Sequence, residues 1–293
     1  MTAGAAILPI VTITGTLFLM RALTALVLSA AVLSTPALAV VKGKVVRDPN
    51  GLRGSVVRVE TSNGELCSGA LIRPDLVLTA AHCVTDRASY RVVAVDRSFR
   101  PLAVRAVAAV VHPSFVAGTT PRTQPGVDLA MLKLERPVGP GFAPLDPSAG
   151  RVESGDSVTL AGFGVIAEGQ KASARTLREA PLVALGPMQI SNRVLVTADR
   201  QRLAETAGAG ACRGDSGGPI LAETRGGYRL VGIVSWSSGA IASRSMTACG
   251  GLTAVTPLAE HRRWIVEGAS ALDQFSTGAF GDARAGGRDQ WAR

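Results

Sequence analysis

A serine set among three glycines, in Gly214-Asp215-Ser216-Gly217-Gly218-Pro219-Ile220-Leu221, is the clearest chemical signal in this chain. Glycines let the backbone turn tightly and come close to a reacting group, and a hydroxyl carried on such a turn can attack a carbonyl carbon. A hydroxyl is a weak nucleophile at neutral pH, so a base must take its proton during attack. The chain offers three histidines for that task. His112 precedes a proline in Val111-His112-Pro113-Ser114-Phe115 and reads as a structural loop residue. His261, in Glu260-His261-Arg262-Arg263-Trp264-Ile265, reads as a surface position on a helix near the end of the fold. His82 ends the apolar run Thr79-Ala80-Ala81-His82-Cys83 and is the candidate base. Aspartates are commoner, and Asp128 stands apart because it opens the apolar stretch Val127-Asp128-Leu129-Ala130-Met131-Leu132-Lys133-Leu134. A carboxylate there costs free energy unless it has a partner.

These three motifs, in the order His, Asp, Ser, resemble those of trypsin-like (chymotrypsin-fold) serine peptidases, and the likeness runs from about Val40 to Gly268. The resemblance implies that His82 is the general base and that Asp128 orients it. It also implies that Ser216 is the nucleophile and that the backbone N–H groups of Gly214 and Ser216 hold the oxyanion. In that family the acid before the nucleophile, here Asp215, pairs with a newly freed N-terminus. The disulfides implied are Cys67–Cys83, bracing the histidine loop, and Cys212–Cys249, tying the nucleophile loop to the facing wall of the substrate pocket. The pocket floor, six positions before the nucleophile, is Gly210, followed by Ala211. No acid stands there to meet a cationic side chain, so the expected preference is for an uncharged, apolar residue before the scissile bond. Ser235-Trp236-Ser237 forms the wall on which an extended peptide would add as a strand. Ser237 narrows the entrance, and Gly250 leaves the back wall open. Arg213 is expected at the rim.

The elements that must position these groups read as β. Ser55–Val59, Leu71-Ile72, Leu76–Leu78, Tyr90–Val95 and Leu230–Val234 are short, β-branched and separated by turn residues. An apolar fraction of 47% with only 4% aromatics points to a core of Val, Leu and Ala. The pattern alone gives an all-β barrel or sandwich. The resemblance narrows it to two six-stranded antiparallel β-barrels with the active site between them and a C-terminal helix around Leu258–Gly268. The lobes are expected at about 40–145 and 146–260, and the Gly-, Ala-, Arg- and Asp-rich tail 269–293 is expected to be flexible.

The first 39 residues read as a leader. Met20-Arg21 and the apolar stretch from Ala22 to Leu33 precede Thr35-Pro36-Ala37-Leu38-Ala39, whose small residues suit signal peptidase. Cleavage after Ala39 would expose Val40-Val41-Lys42-Gly43, similar to the family's mature start except at Lys42, and would make Val40 the partner of Asp215. Residues 1–19 fit this scheme poorly and suggest a true start at Met20. If the apolar segment is retained instead, it is long enough to tether the protein to a membrane. A secreted or periplasmic protein is expected, in an oxidising compartment that suits paired cysteines.

The net charge of +9 comes mostly from scattered arginines, with no basic run interleaved with aromatics, so no nucleic-acid partner is expected. Nor do Cys and His occur at metal-ligand spacings, so neither a metal nor another cofactor is expected. The partners expected are protein or peptide substrates, for a monomeric enzyme. A catalytically silent binding protein on the same fold is the alternative.

Overall fold

The computed structural model of the protein describes residues 40–48, 51–85, 88–147, 150–243 and 247–275. The expected leader, residues 1–39, lies outside them, as does the tail from 276 onward. All described residues belong to the compact unit Leu38–Arg293.

Within it the strands close into two barrels. β2 (Val56–Thr61), β3 (Leu66–Arg73), β4 (Leu76–Thr79), β5 (Tyr90–Val95), β6 (Pro101–Val111) and β7 (Ala130–Leu134) form the first, in the order β2-β3-β4-β7-β6-β5, with β5 returning to β2. The second contains β8 (Ser157–Gly162), β9 (Arg178–Gln189), β10 (Arg193–Ala198), β11 (Pro219–Thr224), β12 (Gly227–Ser237) and β13 (Thr253–Pro257). Its order is β9-β10-β13-β12-β11-β8, and β8 closes it by pairing with β9. All ladders are antiparallel, and closure removes most of the unpaired sheet edges that would otherwise invite aggregation. The interior is aliphatic, from Val56, Val57, Leu71, Leu76 and Leu78 in one barrel to Leu160, Ile220, Leu230 and Val255 in the other. This is the Val, Leu and Ala core anticipated from composition.

Three placements differ from the sequence reading. The chain's opening segment, assigned by its position to the first lobe, packs on the second barrel. β1 (Lys44–Val45) pairs with β9, and Val41 forms a bridge with Gly210. The helix α1 (Arg262–Asp273) continues past Gly268 into the stretch expected to be flexible. Leu272 is fully buried there, and Asp273 pairs with Arg73 at 2.7 Å, partners too remote in sequence to be read from the local pattern. Gly268 does not end the helix but lets it close on β7, since a Cβ there would lie 2.3 Å from Met131 Cε. Finally, His261 is half-buried instead of exposed, with its ring 5.1 Å from that of His112. His112 also meets Trp264 at 5.1 Å.

β7 is buried along its whole length, and so it buries Lys133. Its ammonium reaches Asp75 at 2.5 Å and Asp273 at 3.7 Å, so the helix end shares its charge. Removing one member of a buried pair strands the other, whereas an apolar replacement of similar shape needs no partner. Asp75→Asn should therefore cost about 2–3 kcal/mol in urea unfolding and Lys133→Met less than about 1 kcal/mol. Equal losses would show that the pair adds net stability of its own.

Candidate active site

His82 lies in a 3-10 turn, Ala81–Cys83, immediately after β4. Asp128 lies just before β7, the neighbour of β4 in the first barrel, so adjacent strands deliver both residues to one end of the sheet. The Asp128 carboxylate is fully buried. Its Oδ1 accepts the backbone N–H of His82 at 3.0 Å, and its Oδ2 lies 2.8 Å from His82 Nδ1. Ser235, on β12 of the second barrel, donates its hydroxyl to the same Oδ2 at 2.5 Å. Burial works to raise this carboxyl. The charge of His82 and the hydrogen bonds from His82 and Ser235 outweigh it, holding the carboxyl below the ordinary carboxylate value.

Ser216 sits in the loop before β11, with Oγ 3.5 Å from the carbonyl oxygen of Ser235. No hydrogen bond joins it to His82, whose Nε2 has Cys83 Sγ at 3.7 Å. Gly214 has φ +93°, in the left-handed region open to glycine, and a Cβ there would lie 3.0 Å from Gly164 Cα. The N–H groups of Gly214 and Ser216 donate to no acceptor among the described residues, so this loop presents two free donors beside the serine.

Asp215 points the other way, into the second barrel, fully buried. Its carboxylate accepts the N–H groups of Gly164 at 2.8 Å and Cys212 at 2.9 Å. Burial pushes it up to about 6, against the pull of those two N–H groups and the charge of Arg178. Val40 is fully buried as well.

Both disulfides form as the resemblance implied, Cys67–Cys83 and Cys212–Cys249. Cys67, His82 and Cys83 place three potential metal-ligand atoms close together, but the disulfide occupies both sulfurs. In the pocket region Ala211 donates its N–H to Thr253 Oγ1, and a Cβ on Gly210 would meet Gly250 Cα and the Gly251 carbonyl at 3.3 Å. The space beside Gly250 is not open, because a Cβ there would lie 2.8 Å from Val41 Cγ1. The Ser237 hydroxyl donates to the Ala248 carbonyl, which ties β12 to the segment carrying Cys249. Arg213 pairs with Glu168 at 3.1 Å, and the same carboxylate oxygen accepts the Ala248 N–H at 3.0 Å.

The match to the trypsin family model covers residues 42–265. The chain belongs to the trypsin family. Among its curated relatives, serine proteinase stubble of Drosophila melanogaster is 30% identical over 228 residues, which is 70% of this chain and 27% of that protein. Mouse tryptase is 30% identical over 59% of this chain and 69% of its own length. Lectizyme of Glossina austeni is 28% identical over 70% and 80% respectively. The trypsin-family domain here thus spans about a quarter of stubble and most of the other two. Human heparin binding protein shares the fold at TM-score 0.59 and 22% identity, over 78% of this chain and 96% of that one. Mouse neuropsin does so at TM-score 0.58 and 20% identity, over 75% and 95%.

Ser68 was missed by the sequence reading, although a hydroxyl beside Cys67 in an otherwise apolar strand was a usable signal. Fully buried on β3, it crosses from the first barrel to the nucleophile loop. Its N–H donates to the Ser216 carbonyl at 2.8 Å, and its hydroxyl donates to the Gly214 carbonyl at 2.9 Å while accepting the Phe163 N–H at 2.9 Å. It therefore fixes the Gly214–Asp215 and Ser216–Gly217 peptide planes, one before and one after the serine. Ser68→Ala leaves two buried backbone groups without partners and should cost about 2–3 kcal/mol in equilibrium unfolding. A loss below about 0.5 kcal/mol would mean that the loop holds its shape without this residue.

Proposed function

We propose that this protein is an exported serine endopeptidase that cleaves peptide bonds through an acyl-enzyme on Ser216, with His82 as the base and Asp128 as its orienting partner. The observation that carries this reading is the Asp128–His82 hydrogen bond at 2.8 Å, linked through Ser235 to Ser216, beside the free N–H groups of Gly214 and Ser216. Asp128 holds the proton on His82 Nδ1 and leaves Nε2 free to take the proton of the Ser216 hydroxyl. Oxygen attack on the scissile carbonyl then places the oxyanion against the two N–H donors. His82 returns the proton to the leaving amine, and water repeats the sequence to release the acid. Hydrogen bonds of this kind often tighten only once substrate is bound.

The pocket residues Gly210, Ala211 and Gly250 carry no charge. The backbone of Gly250–Gly251, close to Gly210, favours a short apolar side chain before the scissile bond. The silent binding protein is the second reading, favoured by the Ser216 hydroxyl facing Ser235 rather than His82. A diphenyl phosphonate with an alanine-like side chain should label Ser216 and leave Ser216→Ala unlabelled. His82→Ala should lower kcat/KM on a peptide library by about 10⁴-fold or more. Absence of both labelling and cleavage would favour the silent reading.

Asp215 gives a second test, of the proposed pairing with Val40. When residue 39 remains attached, the folded carboxyl is raised to about 6 from 3.8. The folded chain then keeps a proton that the unfolded chain has lost, so this contribution to stability is complete below about pH 3.8 and is lost as pH rises through about 6. A free ammonium on Val40 reverses the sign, since a lowered carboxyl stabilises at higher pH. Between about pH 4 and 7, the Val40-start protein should gain thermal stability relative to the longer chain. Parallel melting curves for the two forms would rule out the pairing.

A further inference from the structure

On β12 the residues Ser235–Ser237 are paired on one side only. β13 takes Trp236 and Ser237 through Ala254 and Thr253, whereas the β11 ladder stops at Ile233. The other side therefore offers carbonyl groups to an added strand. The Ser235 carbonyl is touched by Ser216 Oγ, which places the first of these acceptors at the proposed reaction centre. Two residues further along the strand, the Ser237 carbonyl faces the same side and accepts a hydrogen bond from Arg122 at 3.3 Å. The Arg122 guanidinium also lies 5.0 Å from the centroid of the Trp236 ring. No carboxylate among the described residues pairs with it, unlike Arg213, which has Glu168.

The loop that carries Arg122 is built to hold it there. Gln124, fully buried, donates to the Val116 carbonyl and to Thr119 Oγ1 and accepts the N–H groups of Val116 and Gly126. Asn192, between β9 and β10, donates to the Gly126 carbonyl at 2.5 Å, and Ser191 donates to the Arg122 carbonyl itself at 3.0 Å. A long cationic side chain is thus presented from an internally braced loop, stacked on an indole, at the second acceptor of the open edge.

We propose that Arg122, Trp236 and the Ser237 carbonyl form an anion-selecting subsite, which favours peptides carrying Asp or Glu two or three positions upstream of the residue preceding the scissile bond. This rests on the reading above that peptides lie along this edge. In an antiparallel ladder the strand positions that exchange hydrogen bonds recur every second residue. If the residue before the scissile bond donates to Ser235, the residue two further upstream donates to Ser237. Its N–H then competes with the guanidinium, held at 3.3 Å, for that carbonyl. A carboxylate arriving with the peptide gives the guanidinium a new partner, with the fork geometry that suits arginine. A neutral peptide offers no such exchange, and a lysine there meets like charge.

The test compares a Glu peptide with its Gln twin, within each variant. In the unmodified protein, kcat/KM should favour Glu by about threefold to fivefold, the scale of an exposed ion pair. The preference should vanish in about 1 M salt, where charges screen over about 3 Å. It should disappear in Arg122→Ala and reverse in Arg122→Glu, with a Lys peptide then preferred. A Glu-to-Gln ratio near one in the unmodified protein, or a ratio unchanged in Arg122→Ala, overturns the subsite. The same peptides titrated into Ser216→Ala, read by tryptophan fluorescence, measure the preference without turnover. Phosphonate labelling of Ser216 separates the two failures. Labelled protein with no Glu preference sinks the subsite alone, whereas unlabelled protein that still binds Glu peptides better than Gln sinks the peptidase reading and keeps the subsite.

Discussion

The carboxylate of Asp128 is the point on which the two barrels agree. It has no contact with water, so it must be satisfied from within the protein, and its donors come from both halves. His82 supplies a backbone and a ring N–H from the first barrel, and Ser235 supplies a hydroxyl from the second. Thr256 on β13 adds a bond to the Asp128 backbone carbonyl at 3.2 Å. Displacing one barrel on the other would leave a buried charge short of partners, a larger penalty than most sliding motions of packed side chains carry. Ser68 repeats the device from the opposite direction, reaching from β3 into the nucleophile loop. A few desolvated hydrogen bonds therefore add to the shared apolar core in aligning the two barrels.

Two buried acids a short way apart in the fold are driven in opposite directions. Asp128 is held low, because a histidine and a hydroxyl add to the backbone N–H it receives. Asp215 is pushed up, because two backbone N–H groups and the field of Arg178 do not offset complete burial. Both are singled out by their place in the sequence, yet nothing local tells which is held low and which is pushed up. Environment alone separates an acid that is charged and finished from one that still calls for a cation.

The candidate site was legible because its parts are local. Ser216 announces itself by its glycines, His82 by ending an apolar run, and Asp128 by opening one. The barrel strands were readable where β-branched residues cluster, as in Tyr90–Val95 and Leu230–Val234, and both disulfides followed from the family likeness. What stayed hidden depends on contacts between distant residues. The opening segment belongs to the second barrel because of β9 and Gly210, and α1 outlasts Gly268 because Leu272 and Asp273 find partners on the first barrel. His261 is half-buried because His112 lies beneath it. The pocket wall behind Gly250, read as open, is filled by Val41 from the far end of the chain.

The pairing of β1 with β9 also sets an order of events during synthesis. Lys44 emerges from the ribosome early, yet its partner Glu179 lies far downstream, and Val41 must wait longer still for Gly210. The strands of the first barrel are complete by Leu134, well before either partner exists. Because domains made from the N-terminus can fold as they appear, the first barrel can close while the chain's leading end is still unpaired. The loop around Ser216 and the bed that receives Val41 then form among the last parts of the molecule. A nascent chain with a folded first half therefore has no assembled cleft until the polypeptide is nearly finished.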